Sequence, residues 1–162
     1  MTVDKNIRSR VSLLNPVHFL ALGFGSGLAA KMPGTFGTLA ALPLVVLLSH
    51  YTGFYVYLMV TILVSIVGIW ICDKTARDMK VHDDSSIVWD EFAGMLITML
   101  AVPLSWQTLL AGFVLFRFFD IIKPWPISYL DKHVHGGFGI MIDDVLAGLF
   151  ALSVLHIGLS VI

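Results

Sequence analysis

Charged residues gather in three blocks along the chain, and three long stretches carry none. Met32–Cys72, Phe92–Phe116 and Val145–Ile162 hold no Lys, Arg, Asp or Glu; every charged side chain falls in Met1–Lys31, Asp73–Glu91 or Arg117–Asp144. The first charge-free stretch is far longer than the roughly 20 residues of one membrane-crossing helix. Ser49-His50-Tyr51-Thr52-Gly53 supplies a polar turn near its middle. The pattern therefore predicts two helices, Thr38–Leu48 and Phe54–Cys72, joined as a hairpin, with Pro43 a kink in the first. In the second stretch Ala101-Val102-Pro103-Leu104-Ser105-Trp106 offers a turn, which predicts helices Ser86–Val102 and Trp106–Ile122. Each is barely long enough to cross and needs tilt or a thinned bilayer. Pro124 disfavours helix at Lys123 and ends the second of them. The last apolar run reads as one span. The predicted fold class is all-α: one domain, residues 1–162, a polytopic membrane helical bundle of about five short or tilted spans.

Composition sharpens this picture. Hydrophobic residues make up 57% of the 162 and charged residues 13%, against about half and a quarter in soluble domains; mean hydropathy is +0.89. The alternative, a soluble bundle with the same helices buried in one core, leaves too much apolar surface for a chain of this size to hide. In the five-span arrangement all ten Lys and Arg residues lie on one face, which the positive-inside rule makes cytoplasmic. The acids share that face, with the N-terminus inside and the C-terminus outside. A net charge of -1 gives no basic surface for nucleic acid. The single cysteine, Cys72, rules out an intramolecular disulfide and a Cys zinc cluster. Lys5, Arg8 and Arg10 precede an apolar run, but Asn15-Pro16, His18 and the glycines from Gly23 interrupt it, so a cleaved leader is not expected.

Chemistry enters at the borders of the apolar runs. Asp90-Glu91 opens one, Asp120 closes another and Asp143-Asp144 opens the last. Ionisable groups at a membrane edge are costly and mark function by default. Hard oxygen ligands from three helix ends suit Mg²⁺ or Mn²⁺, so Asp90, Glu91, Asp120, Asp143 and Asp144 are the candidate metal ligands. Helix capping alone accounts for Asp143, Asp144 and Asp90, but not for Asp120, which lies at a C-terminal end. Arg117, Asp120 and Lys123 share a rough helix face and form either a salt-bridge ladder or a phosphate grip. Gly23-Phe24-Gly25-Ser26-Gly27 and Pro33-Gly34-Thr35-Phe36-Gly37-Thr38 are glycine-rich and lead into a helix. They read as an anion cradle or as close helix packing. Gly34, Thr35, Thr38, Arg117 and Lys123 are the candidate phosphate contacts. Asp131-Lys132-His133-Val134-His135-Gly136-Gly137-Phe138-Gly139 reads as a flexible loop. His135 there, and His82 before the central acids, are candidates for a general acid or a metal ligand, ranked below the carboxylates. Asp90, Glu91, Asp144 and His135 form the catalytic set. Asp73, Arg77 and Asp78 read as a solvated helix end. Acids, cations and an amide cradle together point to metal-assisted phosphate chemistry, and a membrane-surface site points to a lipid headgroup.

At these residues the sequence resembles the phosphatidylglycerophosphatase A family. The resemblance runs through Gly23–Leu28 with Pro33-Gly34-Thr35, then Val81-His82-Asp83 with Ile87-Val88-Trp89-Asp90-Glu91. It continues through Phe116-Arg117, Asp120 and Lys123-Pro124-Trp125-Pro126-Ile127, and ends in Val134-His135-Gly136-Gly137 with Gly139-Ile140-Met141-Ile142-Asp143-Asp144. It implies a Mg²⁺-dependent, multi-pass hydrolase of the bacterial inner membrane. Its site would face the cytoplasm, and phosphatidylglycerophosphate would be converted to phosphatidylglycerol. Two alternatives stand beside it: a metal-dependent lipid-headgroup transferase, and a non-enzymatic small cation transporter, which would place its acids at mid-membrane. The sequence leaves the oligomeric state open.

Overall fold

A computed structural model describes residues 9–81 and 83–161; His82, Lys5 and Arg8 lie outside the described residues. The described chain contains helices and no strands. Helix α1, Pro16–Ala21, starts at Asn15, whose side chain accepts from the Val17 amide, with proline in its first turn. A short 3-10 segment, Gly23–Leu28, follows. Next come α2 (Pro33–Tyr51), α3 (Phe54–Met79), α4 (Trp89–Thr98), α5 (Trp106–Ile122), α6 (Ile127–His133) and α7 (Gly136–Val161).

Three of these, α2, α3 and α7, are long and apolar enough to cross a membrane. The outer faces of α2 and α3 carry exposed Leu39, Val46, Met59, Leu63, Ile66 and Trp70, side chains that lipid covers at no cost. The expected α5 boundaries are the observed ones. Ser105 and Thr108 form a reciprocal capping box at its start, and it stops at Lys123 in the left-handed region, φ 47°. The expected span Ser86–Val102 differs. Only Trp89–Thr98 is helical, about 15 Å at 1.5 Å per residue, half of a bilayer core. Nine of its ten residues are buried, so α4 is the core around which the other helices pack.

Hydrogen bonds fix how the helices run. The Tyr57 hydroxyl donates to the Leu96 carbonyl (3.0 Å) and the Trp89 indole to the Val64 carbonyl (3.1 Å), so α4 lies antiparallel to the first half of α3. His156 of α7 reaches the Leu100 carbonyl at 3.1 Å. The α2–α3 turn, the α4–α5 turn and the last turns of α7 thus share one end of the bundle. The described charged residues collect at the other end. Asp73 and Asp78, expected to be plain solvated residues, tie that end together. Asp73 accepts from the Gly137 amide at the start of α7 (3.2 Å), and Asp78 contacts buried His18 of α1 (2.9 Å).

The expected loop Asp131–Gly139 is also mostly helix. Helix α6 takes Asp131–His133 and α7 begins at Gly136, leaving Val134 and His135 as the connector. Asp143 and Asp144 are therefore not helix caps. They sit seven and eight residues inside α7, about two turns or 10 Å along it.

Candidate active site

The site is built by the way α4 is anchored. Val88, the residue before α4, donates its amide to the Ala21 carbonyl at 2.9 Å. Gly23 and Gly37 press against its side chain, and Gly27 against the Ser86 carbonyl; a Cβ at Gly23 or Gly37 would stand 2.6 Å from a Val88 methyl or methine carbon. The Gly23–Gly27 group thus serves close packing, the second of its two expected readings, and it fixes where Asp90 and Glu91 emerge. On the other side of α4, Gly94 and Gly148 let α4 and α7 approach; a Cβ at Gly148 would lie 2.6 Å from the Gly94 carbonyl oxygen. That approach carries Asp143 and Asp144 to the first turn of α4.

The result is a cavity of about 260 Å³ lined by Asp90, Glu91, Arg117, Asp120, Lys123, Asp143, Asp144 and the first turn of α2 at Pro33-Gly34, with Met32, Asp83 and Ser85 at its exposed mouth. All five predicted metal ligands line it. Oxygens of Asp90, Glu91 and Asp144 come within 4.8 Å of one another, and so do those of Asp120, Asp143 and Asp144; Asp144 belongs to both groups. Glu91, Asp143 and Asp144 are buried. Among the described residues, Asp90 Oδ1, Glu91 Oε2, Asp143 Oδ1 and Asp144 Oδ2 are closed off from solvent with no hydrogen-bond partner, and so is Arg117 Nε. Four orphaned carboxylate oxygens converging from two helices leave a large uncompensated demand for positive charge.

The local cations meet only part of it. Arg117 Nη1 lies 3.6 Å from Glu91 Oε1 and pairs with Asp120 one turn on. Lys123 Nζ pairs with Asp143 and, at 2.7 Å, with Asp131 of α6. At ten residues helix α4 is too short to cross a bilayer core, and its acids are perturbed strongly. Burial, then the neighbouring Glu91 charge, pushes the Asp90 carboxyl well above the usual carboxylate range. Burial, then the Asp144 charge, pushes Glu91 up to about 8. For Lys123 burial disfavours the charge, but Asp143 and Asp131 outweigh it and raise the ammonium above its ordinary value.

Of the predicted phosphate contacts, Gly34, Arg117 and Lys123 line the cavity. A Cβ at Gly34 would run into Glu91 Oε1 and stand 3.1 Å from both terminal Arg117 nitrogens. Only a glycine leaves that space open beside the guanidinium. Thr35 is in the same turn but is not among the lining residues, and Thr38 is set apart: its buried hydroxyl donates to the Gly34 carbonyl at 2.9 Å. His135, predicted as catalytic, is exposed on the α6–α7 connector and does not line the cavity. Its place follows from α7 starting at Gly136, which puts two helical turns between it and the acids. Asp83 and Ser85 at the mouth, and Asp131 behind Lys123, were not singled out as site residues. The sequence showed only the polar stretches that they belong to.

A helical membrane bundle with paired cations beside buried, charge-hungry carboxylates is the equipment of a membrane phosphatase. The family model described as "Phosphatidylglycerophosphatase A" matches residues 19–159. Two relatives carry that name. One, from Haemophilus influenzae, is 53% identical over 152 residues, covering 93% of each chain. The other, from Escherichia coli, is 50% identical over 150 residues, covering 92% of this chain and 87% of its own. A relative from Bacteroides thetaiotaomicron, provisionally named a phosphatidylinositol-3-phosphatase, is 35% identical over 150 residues, covering 88% and 93%. No solved structure matches the chain. The chain belongs to the phosphatidylglycerophosphatase A family, and is a phosphoric monoester hydrolase.

Proposed function

We propose that this protein removes the terminal phosphate of phosphatidylglycerophosphate, leaving phosphatidylglycerol. We place it in the bacterial inner membrane with the cavity on the cytoplasmic side, the orientation that the positive-inside rule favours for its charged end. The observation that carries the reading is the set of four orphaned carboxylate oxygens beside the unsatisfied Arg117 Nε. The donor set, carboxylate oxygens alone, fits a hard divalent cation, Mg²⁺. Asp90, Glu91 and Asp144 would hold one such cation, and Asp120 and Asp143 would complete a second position around the shared Asp144. When bound, such a cation screens the charge of the phosphate and supplies a nucleophilic water.

The chain's own residues account for the remaining steps. Arg117 offers its planar guanidinium to the phosphate, with Nη1 held by Asp120 and Nε without a protein partner. Lys123, at the end of the same helix, adds a second positive charge to the cavity lining. The Gly34 amide lies in the first turn of α2, where amides lack intrahelical partners and the helix dipole favours an anion. Attack by water forms one oxygen–phosphorus bond and breaks the bond to the glycerol oxygen. The attacking water gives up one proton and that glycerol oxygen takes one up, exchanged through the exposed mouth of the cavity at Met32, Asp83 and Ser85. Buried walls at Ile87 and α4 limit competing solvent.

Purified protein in mixed micelles tests this. Inorganic phosphate should appear from phosphatidylglycerophosphate with Mg²⁺, and its release should cease in EDTA and in Glu91→Gln. Undiminished release in EDTA or in Glu91→Gln would contradict the proposal. Two further substrates separate the alternatives. A phosphoinositide monophosphate reads the activity named for the Bacteroides relative. A nucleotide-activated lipid consumed without phosphate release would show a headgroup transferase.

A further inference from the structure

We infer that Asp131, on α6, is a positioning residue that holds the Lys123 ammonium at the cavity wall while Asp143 is engaged by a cation. The inference rests on the proposed reading, in which a divalent cation lies among Asp120, Asp143 and Asp144 and a phosphate ester lies before Lys123. Lys123 lines the cavity and Asp131 stands behind it, outside the lining. The ammonium pairs with both Asp131 (2.7 Å) and Asp143. Backbone geometry makes this possible. Helix α5 stops at Lys123 in the left-handed region, Pro124 forbids its continuation, and α6 brings Asp131 back within reach eight residues later.

Asp143 is an unreliable partner for this task. It belongs to a candidate metal group and its Oδ1 is already orphaned. A carboxylate that neutralises a divalent cation has less charge left for an ammonium. With Asp143 alone, Lys123 and the cation would compete for one carboxylate, and the flexible four-carbon stem would let the ammonium swing away. Asp131 removes the competition by giving Lys123 an anchor that no cation shares. An ammonium has three N–H donors. Asp131 and Asp143 take two, leaving one for a phosphate oxygen. The pair is partly exposed, with Lys123 28% and Asp131 39% accessible, so solvent screening keeps the effect modest.

The test compares Asp131→Asn, Asp131→Glu and Lys123→Met by steady-state kinetics and by Mn²⁺ binding followed by electron paramagnetic resonance. Asp131→Asn should raise KM about fivefold with kcat changed less than about twofold, the scale of one partly screened ion pair. It should also weaken Mn²⁺ binding about threefold as Lys123 settles on Asp143. Asp131→Glu should restore both. In the Lys123→Met background Asp131→Asn should add nothing. An unchanged KM in Asp131→Asn, or an equal loss in the Lys123→Met background, would overturn the positioning role. Absence of Mn²⁺ binding by the wild-type protein would instead overturn the metal reading itself, and this inference with it.

Discussion

Two polar hollows of similar size lie at opposite ends of the bundle, and they differ in what their polar atoms are doing. The hollow at the uncharged end, about 290 Å³, is lined by Ser49, Thr52, Tyr57, Met99 and the Ala101–Pro103 turn among others. Its hydroxyls are spent on the protein: Thr52 donates to the Leu48 carbonyl at 2.7 Å and Tyr57 to the Leu96 carbonyl at 3.0 Å. The hollow at the charged end, about 260 Å³, holds four buried carboxylate oxygens and a guanidinium nitrogen with no partner. Volume does not tell a site from a packing gap. Unmet polar demand does, because a buried polar group without a partner is tolerated only where something else satisfies it.

The comparison breaks most visibly at the acids. Asp144→Asn, shared by both carboxylate groups, should lower phosphate release more than about 100-fold with unchanged helical content by circular dichroism. Retained activity would mean that the orphaned oxygens are not what defines the site. A next, smaller effect concerns space. Gly34→Ala places a methyl against Glu91 and Arg117 and should cost about tenfold in kcat/KM, since small displacements near the reacting groups are expensive.

The charged end should also respond to pH where the other end does not. Burial holds Glu91 in its protonated form up to about pH 8, and a divalent cation binds only the deprotonated form. Below that pH each displaced proton should weaken Mn²⁺ affinity about tenfold per unit, so affinity rises with pH and levels off above it. At the uncharged end, Tyr57→Phe should cost about 1 kcal/mol of stability and leave turnover within about twofold. The smallest changes belong to two residues that the sequence nominated and the structure sets apart: Thr38→Val and His135→Ala should each stay within about twofold in activity.

Those last two show where sequence reading stops. The borders of the charge-free runs pointed to the acids that the fold gathers in one cavity, because charge next to hydrocarbon is costly whatever the tertiary contacts. The α5 limits were legible because Ser105, Thr108 and Pro124 act locally. Helix α4 was not, since an apolar run has the same composition whether it faces lipid or, like Phe92–Thr98, is buried in protein. Thr38 belonged to a glycine-rich motif, but the helical register that turns its hydroxyl back to Gly34 is invisible in residue types. His135 read as a loop residue near Asp143, yet a helix begins one residue later and carries the acids away from it. Asp131 could be recognised only after α6 folded it back onto Lys123.

The central claim is that carboxylates from α4, α5 and α7 together hold a divalent cation. Mn²⁺ titration of the purified protein, followed by electron paramagnetic resonance, reads this without reference to any substrate. The account predicts saturable binding in the wild-type protein that is lost in the Glu91→Gln, Asp144→Asn double variant. Equal binding by both proteins would contradict it.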